Sequence, residues 1–399
     1  MPVPQHSPSP RELDDIELIV SGALPGPLNA PGSPLTLALP APIAEIAGRD
    51  GEVEIVDPEG LPLARVTWPT GDVTGLSSPA YGPFRRLYLT PEQTRRTYVG
   101  RTVVPVTDAL TSSEITELGS LGPVLLLALV GHGTPSLSPA ALLRASLLAA
   151  DALPDAAVVA VPLASHDDPE ADHGLGVAVV DAYAGGDPVH ALASADRSDD
   201  YPEDVAAVID RDRPALEDQG LVIFFTGLSG SGKSTLARAL MDRILEQGAR
   251  TVTSLDGDVV RRNLSAGLTF SKEDRETNIR RIGWVAAEIS RHGGLAVCSP
   301  IAPFDATRQD VRRYVDDAGG AVFLVHVATP LEECERRDRK GLYAKARRGE
   351  IPEFTGISSP YEEPADADVR VDTTGRSIDD ALGDVIEALR DAGYLDLAR

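Results

Sequence analysis

The sequence predicts an α/β fold for the second half of the chain, and two observations support this prediction. Short apolar runs that suit buried strands alternate with stretches whose apolar residues recur about every 3.6 positions, as in amphipathic helices. The first of these runs, residues 221–226, leads into a glycine-rich loop and then into a helix pattern. Strands that alternate with helices form a parallel sheet that is covered on both faces.

Composition and charge exclude several classes of protein. The chain has 399 residues, 42% of them hydrophobic and 25% charged, which is close to the average for globular proteins. Its longest apolar run, residues 124–130, is much shorter than the roughly 20 residues of a membrane helix. The first residues lack the pattern of a signal peptide, so we expect a cytoplasmic protein. Cys298 and Cys334 stand far apart, which supports neither a disulfide framework nor a cysteine zinc site.

The formal net charge of −24 is unevenly distributed. Residues 1–220 contain 12 Arg, no Lys and 32 Asp and Glu. An acidic surface repels nucleic acid and anionic lipid, so we expect neither a nucleic-acid partner nor a membrane partner. A polyanionic ligand would therefore need a local cationic pocket, and all the lysines lie in the second half.

Four regions are predicted before residue 220. Prolines dominate residues 1–10, which we expect to be a flexible tail. Residues 11–101 contain short apolar runs between Gly and Pro turns and predict a β-rich domain. A helix capped by Ser138 lies between apolar runs and makes residues 102–186 a small α/β segment. Acidic residues dominate 187–219, which predicts a solvated linker.

Residues 220–399 show the strand and helix alternation most clearly. Ser271 and Asp274 form a capping pattern that begins a helix, whose apolar positions then follow a 3.6-residue period to His292. The predicted strands are residues 221–226, 251–255, 295–299, 321–327 and 369–371. The other predicted helices begin at Lys233, Asp305, Pro330 and Ser377.

The segment from Gly227 to Thr235 fits the pattern G-x-x-x-x-G-K-[ST] between a strand and a helix, the context that confirms this phosphate-binding motif. Backbone N–H groups of the loop surround phosphate oxygens, Lys233 reaches the β- and γ-phosphates, and the Ser234 hydroxyl suits Mg²⁺. We therefore expect a P-loop NTPase fold with ATP and Mg²⁺ as ligands. The predicted ATP-binding residues are Gly227, Leu228, Ser229, Gly230, Ser231, Gly232, Lys233, Ser234 and Thr235.

Two carboxylates, Asp256 and Asp258, end the next predicted strand. The carboxyl ends of parallel strands line the ligand crevice, so both carboxylates are expected to face the transferred phosphoryl group. One can hold Mg²⁺, and the other can accept a proton from the hydroxyl of the acceptor. The alternative is an acidic turn that caps a helix at Val259.

Four further side chains follow within a short distance: Arg261, Phe270, Arg275 and Asn278. Two arginines, an amide and an aromatic ring can clamp an anionic nucleotide. The alternative, which these residues alone favour, places Phe270 in the core and the charges on a solvated helix face.

Six segments resemble, in order, the motifs of adenylyl-sulfate kinases (APS kinases). They are residues 227–235, 255–258, 268–283, 299–304, 338–347 and 354–357. The resemblance covers about residues 218–395. It implies transfer of the ATP γ-phosphate to the 3′-hydroxyl of adenosine 5′-phosphosulfate (APS), which gives ADP and 3′-phosphoadenylyl sulfate (PAPS) for sulfate assimilation.

The resemblance also implies residue roles. Lys233, Asp256 and Asp258 would be catalytic, Ser234 and Asp256 would be the Mg²⁺ ligands, and Asp258 would act on the 3′-hydroxyl. The implied APS-binding residues are Asp258, Arg261, Phe270, Arg275, Asn278, Ile301, Ala302, Lys340, Gly341 and Leu342. A mobile lid is implied from Lys340 toward residue 360. Thr269 replaces the usual glycine of the family, and Ser299 is expected to be structural.

Residues 11–101 resemble the PUA-like N-terminal domain of ATP sulfurylase, so the chain is similar to the sulfurylase-kinase fusion type. The chain has no Asn-Pro, which the sulfurylase site uses, and residues 101–213 contain only five arginines and no lysine. We therefore expect a shortened, inactive sulfurylase-like segment in which His132 is a relic of the nucleotide site. Residues 166–173 are expected to form a solvated loop.

The resemblance implies a homodimer, because APS kinases are commonly dimers. Three alternatives stay open. The chain could be a bifunctional ATP sulfurylase/APS kinase, or its first half could be a module that binds a sulfurylase or sulfotransferase partner. It could also be a P-loop kinase of another small hydroxyl substrate.

Overall fold

The computed structural model describes residues 3–79, 82–193, 200–338 and 340–397. The chain divides into two compact units, residues 1–213 and residues 214–399. None of the helices in the described ranges combines the length and the apolar character required to cross a bilayer.

The first unit begins with a four-stranded sheet in the order β1-β2-β3-β4. Strand β1 pairs parallel with β2, and the other neighbours are antiparallel. The elements are β1 (Gln5–His6), α1 (Pro10–Ser21), α2 (Ala41–Asp50), β2 (Glu52–Val56), β3 (Pro62–Thr67), β4 (Val73–Gly75) and α3 (Pro91–Thr97). The β-rich prediction for residues 11–101 thus missed helices α1, α2 and α3.

A three-stranded parallel sheet in the order β5-β6-β7 follows in the same unit. The elements are β5 (Thr102–Val106), α4 (Ser112–Gly119), β6 (Val124–Leu129), α5 (Pro139–Ala152), β7 (Ala156–Val161), α6 (Pro169–Ala184) and α7 (Glu203–Asp212). All six residues of β6 are buried because β6 is the central strand. Ser138 caps α5 as predicted.

Two predictions for this unit were wrong. Residues 1–10 are not a free tail throughout, because Gln5 and His6 pair with β2 and Ser9 caps α1. The predicted linker 187–219 contains helix α7, which buries Val205 and Val208 in the core beneath α5. Two buried valines anchor this helix although half of its ten residues are charged. Residues 194–199 of the predicted linker lie outside the described ranges.

The second unit is a five-stranded parallel sheet in the order β12-β11-β8-β10-β9. Its strands are β8 (Leu221–Thr226), β9 (Val252–Leu255), β10 (Leu295–Cys298), β11 (Ala321–Val327) and β12 (Val369–Val371). Its helices are α8 (Lys233–Gln247), α9 (Gly257–Asn263), α10 (Lys272–Arg291), α11 (Asp305–Asp317), α12 (Leu331–Arg337), α13 (Leu342–Arg347) and α14 (Ile378–Asp391).

Two apolar layers cover this sheet. Helices α8 and α14 pack on one face, around Leu240 and Val385, and helices α10 and α11 pack on the other, around Ile282 and Val311. Every residue of the central strand β8 is buried, which is why its sequence is continuously apolar up to Thr226. The predicted parallel α/β fold is therefore confirmed.

Candidate active site

The phosphate loop joins the carboxyl end of β8 to the start of α8. Gly227, Gly230 and Gly232 all have positive φ, at 144°, 78° and 105°. A Cβ atom on Gly227 would lie 2.4 Å from the carbonyl oxygen of Val327, and glycine is therefore required at this close approach. The loop is held from behind, since the hydroxyls of Thr329 and Thr373 donate to the Ser231 carbonyl at 3.0 and 2.9 Å.

Lys233 is the first residue of α8, and its side chain turns back into the loop. Only 7% of Lys233 is exposed, and its ammonium group donates to the Leu228 carbonyl at 2.6 Å. Burial lowers the pKa of Lys233 to about 8. A phosphate group in the loop would compensate for this desolvation by supplying negative charge.

Asp256 lies at the centre of a small hydrogen-bond network. Its carboxylate accepts hydrogen bonds from the hydroxyls of Ser234 and Ser299, each at 3.1 Å, and from the N–H of Asp258 at 3.0 Å. Burial raises the pKa of Asp256, but these hydrogen bonds outweigh burial and the net shift is downward. The carboxylate is therefore ionised and lies beside the Ser234 hydroxyl. Ser299 is buried and its hydroxyl contacts Asp256, and a structural role for Ser299 stays a prediction.

Asp258 and Lys340 form an ion pair at the edge of the site. The Lys340 ammonium lies 2.9 Å from the Asp258 carboxylate, and the two side chains are 68% and 71% exposed. Gly341 caps helix α13 with a φ of 64°, and Leu342 is the first residue of that helix. Lys340, the first residue of the predicted lid, therefore contacts the predicted catalytic carboxylate. An exposed pair of this kind is weak and can exchange for a substrate.

Arg261 and Phe270 form a second contact at the surface. The Arg261 guanidinium carbon lies 4.5 Å from the centre of the Phe270 ring, and the guanidinium donates to the Thr269 carbonyl at 2.9 Å. Phe270 is 69% exposed, which excludes the alternative that it belongs to the core. Its ring presents a flat surface onto which a base can stack.

Arg275 and Asn278 lie one turn apart on α10. The Arg275 side chain is 13% exposed and donates to the hydroxyls of Thr355 and Ser359, at 2.8 and 3.3 Å. Arg275 Nε and Asn278 Oδ1 are buried, and neither has a hydrogen-bond partner among the described residues. Unsatisfied buried polar atoms are costly and often mark a functional site.

Ile301 and Ala302 follow β10, and their backbone is held tightly. Thr226 and Arg308 donate hydrogen bonds to these two residues. Ala302 is fully buried and has a φ of 44°. The sequence motifs point to Ile301 and Ala302 but not to Thr226 and Arg308. A threonine in an apolar strand and one arginine among several give no signal of this contact.

The similarity of the chain to known proteins centres on this same unit. A family model described as adenylylsulphate kinase matches residues 219–372. The hexameric APS kinase from Thiobacillus denitrificans aligns with a TM-score of 0.72 and 28% identity, over 99% of this chain and 94% of that one. Residues 219–372 belong to the adenylylsulphate kinase family. This APS kinase domain contains every residue of the predicted site.

Two further relatives match part of the chain. The Mycobacterium tuberculosis APS kinase CysC, in complex with AMPPNP and APS, is 46% identical over 43% of this chain and 98% of its own, with a TM-score of 0.41. A sulfate adenylyltransferase from Aspergillus terreus is 47% identical over 196 residues, which are 49% of this chain and 34% of that protein. The chain spans about a third of the length of the curated relatives it matches.

The sequence analysis also singled out His132 and residues 166–173 in the first unit. His132 is exposed, and its backbone N–H donates to the Asp14 carboxylate at 2.7 Å. The prediction of a solvated loop at residues 166–173 holds for the exposed Asp167 and Asp168 and was wrong for the other residues. The His166 side chain is 5% exposed and lies 3.1 Å from both Asp15 and Asp172, while α6 includes residues 169–173.

Proposed function

We propose that the chain phosphorylates the 3′-hydroxyl of APS with ATP, which gives PAPS and ADP. The observation that carries this proposal is the arrangement of the APS kinase domain. A phosphate loop with Lys233 lies beside Asp256 and Asp258, and the unsatisfied polar atoms of Arg275 and Asn278 lie on the adjoining helix α10.

ATP would bind at the phosphate loop. The backbone N–H groups of the loop and the Lys233 ammonium would hold the β- and γ-phosphates. Lys233 would exchange its contact with the Leu228 carbonyl for a phosphate oxygen. The buried ammonium would then have a negatively charged partner.

The residues beside the loop fit Mg²⁺. This ion prefers oxygen ligands, and the Ser234 hydroxyl and the ionised Asp256 carboxylate are adjacent oxygen donors. When bound, Mg²⁺ would neutralise charge on the phosphates. Asp258 would orient the 3′-hydroxyl of APS and accept its proton as the γ-phosphoryl group is transferred.

APS would lie on the far side of the transferred group. Arg261, Arg275 and Asn278 would bind the phosphosulfate, and Phe270 would stack on the adenine. The backbone at Ile301 and Ala302 would form the wall beside the bound nucleotide. Lys340 would leave Asp258 for the substrate anions as Gly341 and Leu342 close over them, and closure would exclude water from the transfer.

The alternative of a different hydroxyl acceptor is tested by product analysis. The purified chain, ATP and Mg²⁺ are incubated with APS or with AMP, which has the same sugar and base but no sulfate. We expect ADP and PAPS with APS, and ADP release at the background rate with AMP. Phosphorylation of AMP, or of another hydroxyl compound, at a higher rate than that of APS would overturn the assignment of the acceptor.

We propose that residues 1–213 are a sulfurylase-derived region, with a PUA-like domain at residues 11–101, and that this region is not an active sulfurylase. The lysine-free composition and the acidic surroundings of His132 and His166 support this proposal. The bifunctional alternative predicts ATP formation from APS and pyrophosphate. Measuring that reaction with the Lys233→Ala chain separates the two, because the variant should lack kinase activity.

We also propose that the chain acts in the cytoplasm and assembles with copies of itself. The similar APS kinase from Thiobacillus denitrificans is hexameric, which supports self-association. Light scattering on the purified chain would measure the mass of the assembly. A monomer at micromolar concentration would contradict the proposal.

A further inference from the structure

We infer that Thr226 and Arg308 are positioning residues that hold the backbone of Ala302 in the conformation required for the acceptor wall. The inference deepens the proposed function and rests on it, since it assigns the wall at Ile301 and Ala302 to the binding of APS. Neither side chain belongs to the phosphate loop or to the set of acceptor-binding residues.

Ala302 has an unfavourable backbone conformation. Its φ of 44° lies in the left-handed region, where the Cβ of an L-residue meets the following carbonyl oxygen. The residue is fully buried and follows directly after Ile301 at the carboxyl end of β10. Residues other than glycine keep such a conformation only where their surroundings impose it, and these places cluster at functional sites.

Thr226 supplies the first restraint. This last residue of β8 is fully buried, and its hydroxyl lies 2.6 Å from the Ile301 carbonyl oxygen and 3.3 Å from that of Ala302. The Tyr361 hydroxyl lies 3.0 Å from the same oxygen atom of Thr226. Burial raises the pKa of Tyr361 to about 12, so its phenol keeps its proton and can donate it to Thr226. The hydroxyl proton of Thr226 is then available to the backbone carbonyls of Ile301 and Ala302.

Arg308 supplies the second restraint from helix α11. Its guanidinium group is 1% exposed and donates to the Ala302 carbonyl at 2.8 Å. The same group donates to Asp305 at 3.2 Å, and Arg308 Nε is buried without a hydrogen-bond partner among the described residues. A buried guanidinium that is only partly satisfied is costly. We therefore assign to Arg308 the role of holding the Ala302 carbonyl in place.

One segment connects the wall to the acceptor arginine. The Glu362 N–H donates to the Pro303 carbonyl at 2.8 Å, and the Glu362 carboxylate accepts from the Asp305 N–H at 2.7 Å. The hydroxyls that bind Arg275 belong to the preceding part of this segment, residues 355–361. Loosening of the wall should therefore weaken acceptor binding. The Gly227 N–H at the start of the donor loop also donates to the Ile301 carbonyl, at 3.4 Å, but the loop itself is held by Thr329 and Thr373, which follow β11 and β12.

The test compares Thr226→Val, which removes the hydroxyl at nearly constant volume, with Thr226→Ser, which keeps it. We expect Thr226→Val to raise KM for APS about tenfold, the equivalent of one lost hydrogen bond, and to leave KM for ATP within about twofold. Thr226→Ser should retain the wild-type KM for APS. An equal rise of both KM values, or an unchanged KM for APS, would overturn the inference.

A glycine at position 302 tests the mechanism. Glycine adopts positive φ without strain, so Ala302→Gly should make the restraint less necessary. We expect the double variant Thr226→Val/Ala302→Gly to recover most of the affinity for APS that Thr226→Val loses. Additive losses in the double variant would contradict a role through the backbone of Ala302.

Amide hydrogen exchange of the ligand-free chain separates this inference from the proposed function. Faster exchange at residues 299–305 in Thr226→Val and in Arg308→Lys, with unchanged exchange in residues 1–213, supports positioning whatever the substrate is. If the wild-type chain then makes no PAPS, the proposed function fails while the positioning role stands. If it makes PAPS and exchange at residues 299–305 is unchanged in both variants, the positioning role fails.

Discussion

The two parallel sheets of the chain differ in the loops that lie at the carboxyl ends of their strands. In the APS kinase domain, the edge carries a glycine-rich loop with a buried lysine, whose ammonium donates only to a carbonyl within the part of the chain that the structure describes. In residues 1–213, the loop after β6 also contains glycines, but the His132 N–H already donates to the Asp14 carboxylate at 2.7 Å. A carboxylate of the protein thus holds a backbone donor of the kind that could bind a phosphate.

The loop after β7 in the first unit is satisfied internally in the same way. His166 lies between Asp15 of α1 and Asp172 of α6, at 3.1 Å from each. Burial raises the pKa of Asp14 to about 7 and also raises the pKa of Asp15. A parallel sheet with glycines at its edge is therefore not sufficient for a nucleotide site. The edge also needs unsatisfied donors and a cation.

The largest expected effect is the loss of the loop cation. Lys233→Ala should lower kcat by about 10³-fold or more, because it removes the charge that stabilises the transferred phosphoryl group. The measurement is PAPS formation at saturating ATP and APS. Arg243→Ala on the same helix is the control and should retain activity, since Arg243 lies away from the loop and contacts Asp379 at 3.8 Å. Wild-type kinetics for Lys233→Ala would refute the assigned role.

Removal of the proposed base should have the next largest effect. Asp258→Asn keeps the shape of the side chain and removes its charge, so kcat should fall about 10²-fold while the dissociation constant of ATP changes less than about twofold. Rapid-quench kinetics and equilibrium ATP binding measure the two quantities. A loss of ATP affinity as large as the loss of kcat would show that Asp258 acts on the donor instead.

Asp14→Asn tests the charge of the carboxylate that accepts a hydrogen bond from the His132 N–H in the first unit. The pKa of Asp14 is raised to about 7 in the folded chain, so between its unfolded value and about pH 7 the folded state binds more protons than the unfolded state. Asp14 therefore costs stability as pH rises through this window. Relative to the variant, the wild type should lose about 2 kcal/mol of unfolding free energy from pH 4 to 7, after a discount for solvent.

Denaturant unfolding of residues 1–213 within the whole chain, followed across that pH range, gives the comparison. The Asn side chain keeps an oxygen acceptor for the His132 N–H, so the variant changes charge and leaves the contact in place. Parallel pH profiles for the two proteins would show that Asp14 does not titrate in this window.

The smallest expected effect concerns His132. Its side chain is exposed and belongs to the first unit, so His132→Ala should leave the kcat and both KM values for PAPS formation within about twofold of wild type. Steady-state kinetics with APS measures this directly. A larger fall would mean that the first unit contributes to the transfer reaction.

The sequence predicts the APS kinase domain well because its signals are local. Most residues of strands β8, β10 and β11 are apolar, and Ser271 and Ser377 cap helices with side chains three residues from the N–H groups they bind. The phosphate loop is likewise read from nine consecutive residues. These features depend on short-range geometry that the order of residues specifies.

The failures involve contacts that are distant in sequence. The partners Asp15 and His166 are 151 residues apart, and a sequence pattern does not pair them. Arg308 and Ala302 are close in sequence, but the reason for their contact is a positive φ at an alanine, which ordinary composition does not reveal. Helix α7 was missed because its charges outnumber the two valines that anchor it.

The identity of the acceptor is the central claim, and one labelling experiment tests it most directly. The whole chain is incubated with ATP labelled at the γ-phosphorus, Mg²⁺ and APS, and the product is digested to locate the label. We predict that the label lies on the 3′-oxygen of the sulfated nucleotide and that Lys233→Ala abolishes it. Label that stays in ATP and inorganic phosphate, or that reaches a different acceptor while APS is untouched, would contradict this assignment.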